Sequence, residues 1–145
     1  METFGLICLY GIAAVDDIKT REVRVIEIVI FGMLGIIFNI ICKPYSMVSI
    51  AGGVGIGLLI LIFSLLTRGK IGAGDAYIIM VTGLFLGFIN TAILLWVSSI
   101  LAAIYGICMV RIYGRSMRME LPFVPFLLIG YLLLNMMRIL GGSIA

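Results

Sequence analysis

Two carboxylates stand at the ends of apolar segments: Asp17, in Val15-Asp16-Asp17-Ile18-Lys19, and Asp75, in Gly72-Ala73-Gly74-Asp75. An ionised side chain at the centre of a membrane helix costs about 2.5–3.5 kcal/mol on insertion scales, so a carboxylate near hydrocarbon needs compensation or a use. Two aspartates that meet cannot both ionise cheaply and share a proton. The charged one can take a proton from water, which then attacks a carbonyl. The protonated one polarises that carbonyl and later helps protonate the leaving amine. Peptide hydrolysis by such a pair calls for no metal and no cofactor. Residue chemistry alone does not separate Asp16 from Asp17, and each position has an ordinary reading as well. Asp75 can cap a helix, and Asp16 and Asp17 can form a solvated cluster with Lys19 and Arg21.

Composition narrows the field. The chain has 145 residues, is 63% hydrophobic, and carries ten Lys/Arg against seven Asp/Glu, a formal charge of +3. Its mean hydropathy of +1.31 lies far above that of soluble domains. The basic residues are few and scattered over several loops, which argues against a nucleic-acid partner. The absence of histidine removes Ser-His catalysis, His-ligated zinc and His proton shuttles. Cys8, Cys42 and Cys108 are isolated, with no C-x-x-C, and read as small apolar residues.

The positioning elements follow from the apolar pattern. Six segments run roughly over 3–16, 25–42, 46–66, 76–89, 92–110 and 121–140. Four are long enough to cross about 30 Å of hydrocarbon, and no period-two alternation suggests a barrel. The expected fold is an all-α integral membrane protein: one domain over 1–145, a polytopic bundle of six transmembrane helices. The first segment lacks a basic n-region and a small-x-small cleavage site, so it reads as a retained helix. Lys19, Arg21, Arg24, Arg68, Lys70, Arg111, Arg115 and Arg118 fall on one side, and Lys43 and Arg138 on the other. The positive-inside rule then puts both termini on the non-cytoplasmic side, with Asp17 and Asp75 on the cytoplasmic side. Segments 1 and 4 have only about 14 apolar residues, roughly 21 Å of helix. Either they end below the membrane surface in a wet notch, or their polar flanks continue the helices.

Several motifs read as packing. Gly53-x-x-x-Gly57 and Gly83-x-x-x-Gly87 suit close helix contacts better than a phosphate loop. Glu27 follows Arg24 by three residues, a spacing that lets them pair, with a substrate contact as the other reading. Glu120 can pair with Arg118.

The ordered set of motifs resembles the type IV prepilin peptidases, membrane aspartic proteases with a G-x-G-D element. Asp17-Ile18-Lys19 follows helix 1, Gly72-Ala73-Gly74-Asp75 precedes helix 4, and Pro122-Phe123-Val124-Pro125-Phe126 precedes helix 6. The resemblance implies Asp17 and Asp75 as the catalytic pair, Asp17 being the aspartate that fits Asp-x-Lys/Arg. It implies that Gly72 and Gly74 shape the catalytic turn, and that Pro122, Phe123 and Pro125 bend the chain into helix 6. Val23-Arg24-Val25 departs from the Ile-Pro-Asn of many relatives, and Val124 from a glycine. The paired C-x-x-C motifs of larger relatives that also methylate are absent, which suggests a peptidase-only short form.

Function by resemblance is removal of a short basic leader from a prepilin or pseudopilin, at the cytoplasmic face of a prokaryotic inner membrane. Prepilin and membrane lipid are the implied partners, and the oligomeric state is left open. Helix polarity would put the charge on Asp75 and the proton on Asp17. Three other readings compete: a small ion- or proton-coupled transporter, a non-catalytic pilus or secretion assembly factor, and a presenilin-type enzyme cutting within the span.

Overall fold

A computed structural model describes residues 2–20, 24–42, 45–67, 72–113 and 122–142. They form five helices: α1 (Glu2–Thr20), α2 (Val25–Cys42), α3 (Met47–Leu66), α4 (Ala73–Tyr113) and α5 (Val124–Gly142). The last four are long and apolar enough to cross a membrane. The outer surface is apolar, with Ile40, Ile41, Leu66, Trp96 and Ile139 among its well-exposed side chains. Such a surface is costly in water and neutral in lipid.

α4 contains one residue with non-helical backbone, Gly87 (φ 67°, ψ −173°). In an unbroken helix the Phe88 N–H would bond the Leu84 carbonyl. Here Phe88 N–H donates to Ser49 Oγ (3.1 Å) and Asn39 Nδ2 donates to Leu84 O (2.6 Å). The break is thus satisfied on both sides by side chains, as a buried backbone requires.

Contacts along the two arms of α4 show that the chain turns back there. The first arm, 73–86, meets α3 in antiparallel order, Gly57 near Ala76 and Met80, and Gly53 near Gly83. It also meets α1 in antiparallel order, Tyr10 against Thr82 and Gly5 against Phe85. The second arm, 88–113, runs antiparallel to α5. Asn90 bonds Arg138, Ser98 lies against Gly130, and the Tyr105 and Phe126 rings are 5.4 Å apart. Six helical stretches therefore alternate in direction. The sequence places a breaker at Asn90-Thr91; the turn is at Gly87, where only a residue without a side chain takes positive φ freely. Gly87 is thus a turn residue as well as the close α3 contact that the G-x-x-x-G pattern predicts, its backbone lying against Gly53.

One end of the bundle carries Asp17, Asp75, Lys19, Arg24 and Arg111; Arg138 lies at the other. Lys43, Arg21, Arg68, Lys70, Arg115, Arg118 and Glu120 lie outside the described residues. α1 continues helically through Asp16 and Asp17 to Thr20, so its polar flank does extend it, while the first arm of α4 keeps 14 residues before Gly87.

Between apolar helices in lipid, close packing supplies much of the attraction, and small residues permit it. At the α3–α4 contact a Cβ on Gly53 would come within 2.8–2.9 Å of Gly83 and Gly87 backbone, and a Cβ on Gly83 would overlap the backbone of Gly53 and Val54. The core beside it gathers Leu6, Leu9, Tyr10, Ile78, Phe85, Leu94 and Leu127. Gly83→Ala should therefore destabilise the bundle by about 1–3 kcal/mol, read as a lowered thermal midpoint in detergent. Gly55→Ala, with nothing within 4 Å of its Cβ, should leave that midpoint unchanged.

Candidate active site

Asp17 lies in the last turn of α1 and is 7% exposed. Its Oδ2 accepts a hydrogen bond from the Val124 backbone N–H at 3.0 Å. The local sequence explains why that donor is free. α5 starts at Val124, and the Phe123 carbonyl already accepts from Phe126 N (3.0 Å) and Leu127 N (3.3 Å). The first N–H groups of a helix have no partner inside it. Pro125 has no N–H to satisfy and sits in the first turn, where proline is tolerated. What remains is an amide at a positive helix end, beside a carboxylate that needs one. The Pro122–Phe126 segment thus does more than bend the chain: it presents Val124 to Asp17.

Asp75 is the third residue of α4, in its first turn. It lies inside the helix, with Gly72 just before the start, so it does not occupy the capping position. A Cβ on Gly72 would come within 3.1 Å of Asp75 Oδ2. Gly72 is therefore a clearance for the carboxylate. Gly74 has ordinary helical backbone. The charge of Asp17 acts on half-buried Asp75, so the two carboxyl groups share one electrostatic neighbourhood. Pro122, Phe123 and Pro125 are half-buried around Val124, which is itself fully buried. Both aspartates therefore stand at helix N-termini, Asp75 in that of α4 and Asp17 against that of α5. Asp17 thus sits between the C-terminal turn of α1 and the N-terminus of α5, whose polarities act on its charge in opposite senses.

Asp16 faces elsewhere. Its Oδ2 is 3.0 Å from Arg24 Nε, and its charge acts on Glu27 of α2. Asp16 and Glu27 are both 8% exposed, while Arg24 projects outward beside them. The spacing in sequence predicts a simple Arg24–Glu27 pair. The guanidinium instead bonds Asp16, and its charge acts on Glu27 through space. This trio ties the end of α1 to the start of α2. Successive helical residues are rotated by about 100°, so the adjacent acids serve different neighbours.

With this geometry in view, comparison with known proteins is informative. Residues 4–107 match the model of the type IV leader peptidase family. The chain belongs to that family. The matched stretch takes in Asp16, Asp17, Gly72, Gly74 and Asp75, and stops before the Pro122–Phe126 segment. A prepilin leader peptidase/N-methyltransferase of Legionella pneumophila is 36% identical over 90 residues, covering 61% of this chain and 31% of the relative. The chain thus spans about a third of that relative's length. No solved structure matches it. For a leader peptidase family member, the geometry adds the main-chain donor from Val124. Sequence reasoning misses this donor because a backbone amide has no residue signature; the only available signal was a proline placed one residue after it.

Val124→Pro removes that donor, along with part of the packing of the buried Val124 side chain. Proline suits a first helical position, so α5 should still form while the N–H to Asp17 disappears. The expected outcome is an unchanged helical circular dichroism spectrum with stability lower by about 1.5–3 kcal/mol, the range for a hydrogen bond to a charged group. Thermal unfolding in detergent measures it.

Proposed function

We propose that this protein is a membrane aspartic endopeptidase that removes the leader of type IV prepilins or pseudopilins, with Asp17 and Asp75 as the catalytic pair. The observation that carries the reading is that the antiparallel packing of α1 on the first arm of α4 puts these two carboxylates, 58 residues apart in the chain, at one end of the bundle in a member of this family.

The mechanism uses only these groups. The pair holds one proton between two carboxyls. The ionised aspartate accepts a proton from a water lodged between them, and the hydroxide equivalent attacks the scissile carbonyl. The protonated aspartate donates a hydrogen bond to the carbonyl oxygen as it becomes tetrahedral. Collapse breaks the C–N bond and returns a proton to the leaving amine. Val124 N–H keeps Asp17 in place, and Gly72 leaves space for Asp75 to turn toward the bond. The pair titrates as a unit.

The six helical stretches cross the inner membrane, with the aspartate end toward the cytoplasm. Lys19, Arg24 and Arg111 at that end support this orientation by the positive-inside rule. A site at a bundle end suits a bond at the edge of a hydrophobic helix: the pilin helix stays in lipid while its leader lies within reach. The basic residues at this end would repel a basic leader, so they serve topology and anionic lipid.

The test is co-expression with a prepilin, leader removal being read on a gel. Asp17→Asn and Asp75→Asn should each lose cleavage by about 10²–10⁴-fold, the usual contribution of a positioned acid or base. Asp16→Asn should retain most of it. Undiminished cleavage by either of the first two would overturn the assignment. Gly72→Val, which crowds Asp75 Oδ2, should cleave more slowly than wild type at equal expression.

A further inference from the structure

Below the aspartates lies a second polar contact, on the same faces of the same helices. Tyr10 is fully buried, and its hydroxyl is 2.7 Å from Thr82 Oγ1, also buried. Thr82 Oγ1 donates its own proton to Ile78 O at 2.8 Å. A hydroxyl has one proton to give, so Tyr10 is the donor to Thr82. The Tyr10 ring also meets the Tyr131 ring edge-on, with centroids 5.6 Å apart.

The spacing of this layer matches the catalytic one. Tyr10 precedes Asp17 by seven residues, Thr82 follows Asp75 by seven, and Tyr131 follows Val124 by seven. Seven residues are close to two helical turns, about 10.5 Å. Each member of the lower layer therefore lies almost directly beneath its counterpart on α1, on the first arm of α4 and on α5. The lower layer holds a buried side-chain hydrogen bond joining α1 to α4. Most other contacts between these helices are apolar and have little directional preference. A hydrogen bond has a length and an angle, and it resists sliding of one helix along the other.

We propose that the Tyr10–Thr82 hydrogen bond is a register pin, fixing α1 against α4 so that Asp17 and Asp75 face each other. Tyr10 and Thr82 are positioning residues and touch no substrate. The proposal rests on the proteolytic reading of the two aspartates. Its consequence is specific: loss of the bond lets the catalytic carboxyls drift while the substrate-binding surface persists. A misplacement of about 1 Å can cost on the order of 100-fold in rate.

Tyr10→Phe, Thr82→Val and the double variant test this in purified enzyme with a synthetic prepilin peptide. Tyr10→Phe should lower kcat by about 10- to 100-fold with KM within about twofold of wild type. The double variant should lose no more than the worse single variant, since both remove one bond. A Tyr10→Phe kcat near the wild-type value, a change confined to KM, or losses that multiply in the double variant would each overturn the pin. A second measurement covers a variant that loses activity by unfolding. Nitroxides at Val15 and Tyr77, both exposed, in a background without the native cysteines, report the α1–α4 distance by pulsed EPR. The pin expects a shifted or broadened distribution in Tyr10→Phe; an unchanged one overturns it. Asp17→Asn and Asp75→Asn are run alongside. If wild type itself fails to cleave, the proteolytic reading falls, and the EPR distances still decide the register.

Discussion

A carboxylate inside an apolar bundle must be matched by donors or its burial becomes prohibitive, and most of the active end is arranged around meeting that demand. For Asp17 the donor is the backbone N–H of Val124, supplied by a helix that begins about a hundred residues later in the chain. A main-chain amide suits this role. It adds no titratable group, brings no flexible side chain, and carries the partial positive charge of the helix end with it. The requirement propagates outward. α5 must start at this depth and run alongside α1, as the Asp17–Val124 and Tyr10–Tyr131 contacts show. The second arm of α4 then has to return along α5, which it does through the Asn90–Arg138 and Tyr105–Phe126 contacts.

The turn at Gly87 is the other condition for the site. Without a reversal, the 41-residue α4 would extend about 60 Å, roughly twice the thickness of the hydrocarbon core. Breaking a helix inside lipid exposes backbone groups that have no water to bond. Ser49 from α3 and Asn39 from α2 take up two of the freed groups, and Asn90 Nδ2 takes up the Leu86 carbonyl, so the break relies on the helices that flank it. The approach of α3 depends in turn on Gly53 and Gly83, and that of α2 on Gly35, where a Cβ would come within 3.0–3.1 Å of Phe85 and Leu84. The far end of the bundle thus sets how the near end closes.

The arrangement was legible in the sequence to different depths. The apolar runs marked every helix, because a chain of this hydropathy has few other ways to hide its backbone. The motif glycines and the two aspartates were legible as residue types. The position of the reversal was not: Asn90-Thr91 has the polar character of a breaker, yet both residues continue the helix, and the turn needed positive φ three residues earlier. Helical periodicity also concealed Tyr10 and Thr82. Each reads as an unremarkable member of an apolar face, and only the pairing of two helices makes them partners. The Asp16 environment was half legible, since Arg24 was marked as a partner for an acid but the acid it bonds lies on the preceding helix.

The two adjacent aspartates show why spacing within one helix cannot assign a role. Asp16 and Asp17 have the same chemistry, nearly the same depth and nearly the same exposure. A step of about 100° around α1 separates them, and that rotation turns Asp17 toward the α4–α5 side and Asp16 toward α2. On the first side stand a helix N-terminus and another carboxylate, a setting in which a proton can be traded. On the second stand Glu27 and an arginine whose guanidinium bonds Asp16 directly. The difference arises from α2 and α5 more than from α1. A slide of α1 along its axis would alter the depth of both acids together, but a turn about that axis by a single residue, about 100°, would put one acid in the other's surroundings. Rotational register is therefore the quantity that the packing of α1 must secure, and the buried Tyr10 ring, wedged between Thr82 on one side and Tyr131 on another, restrains rotation as well as sliding.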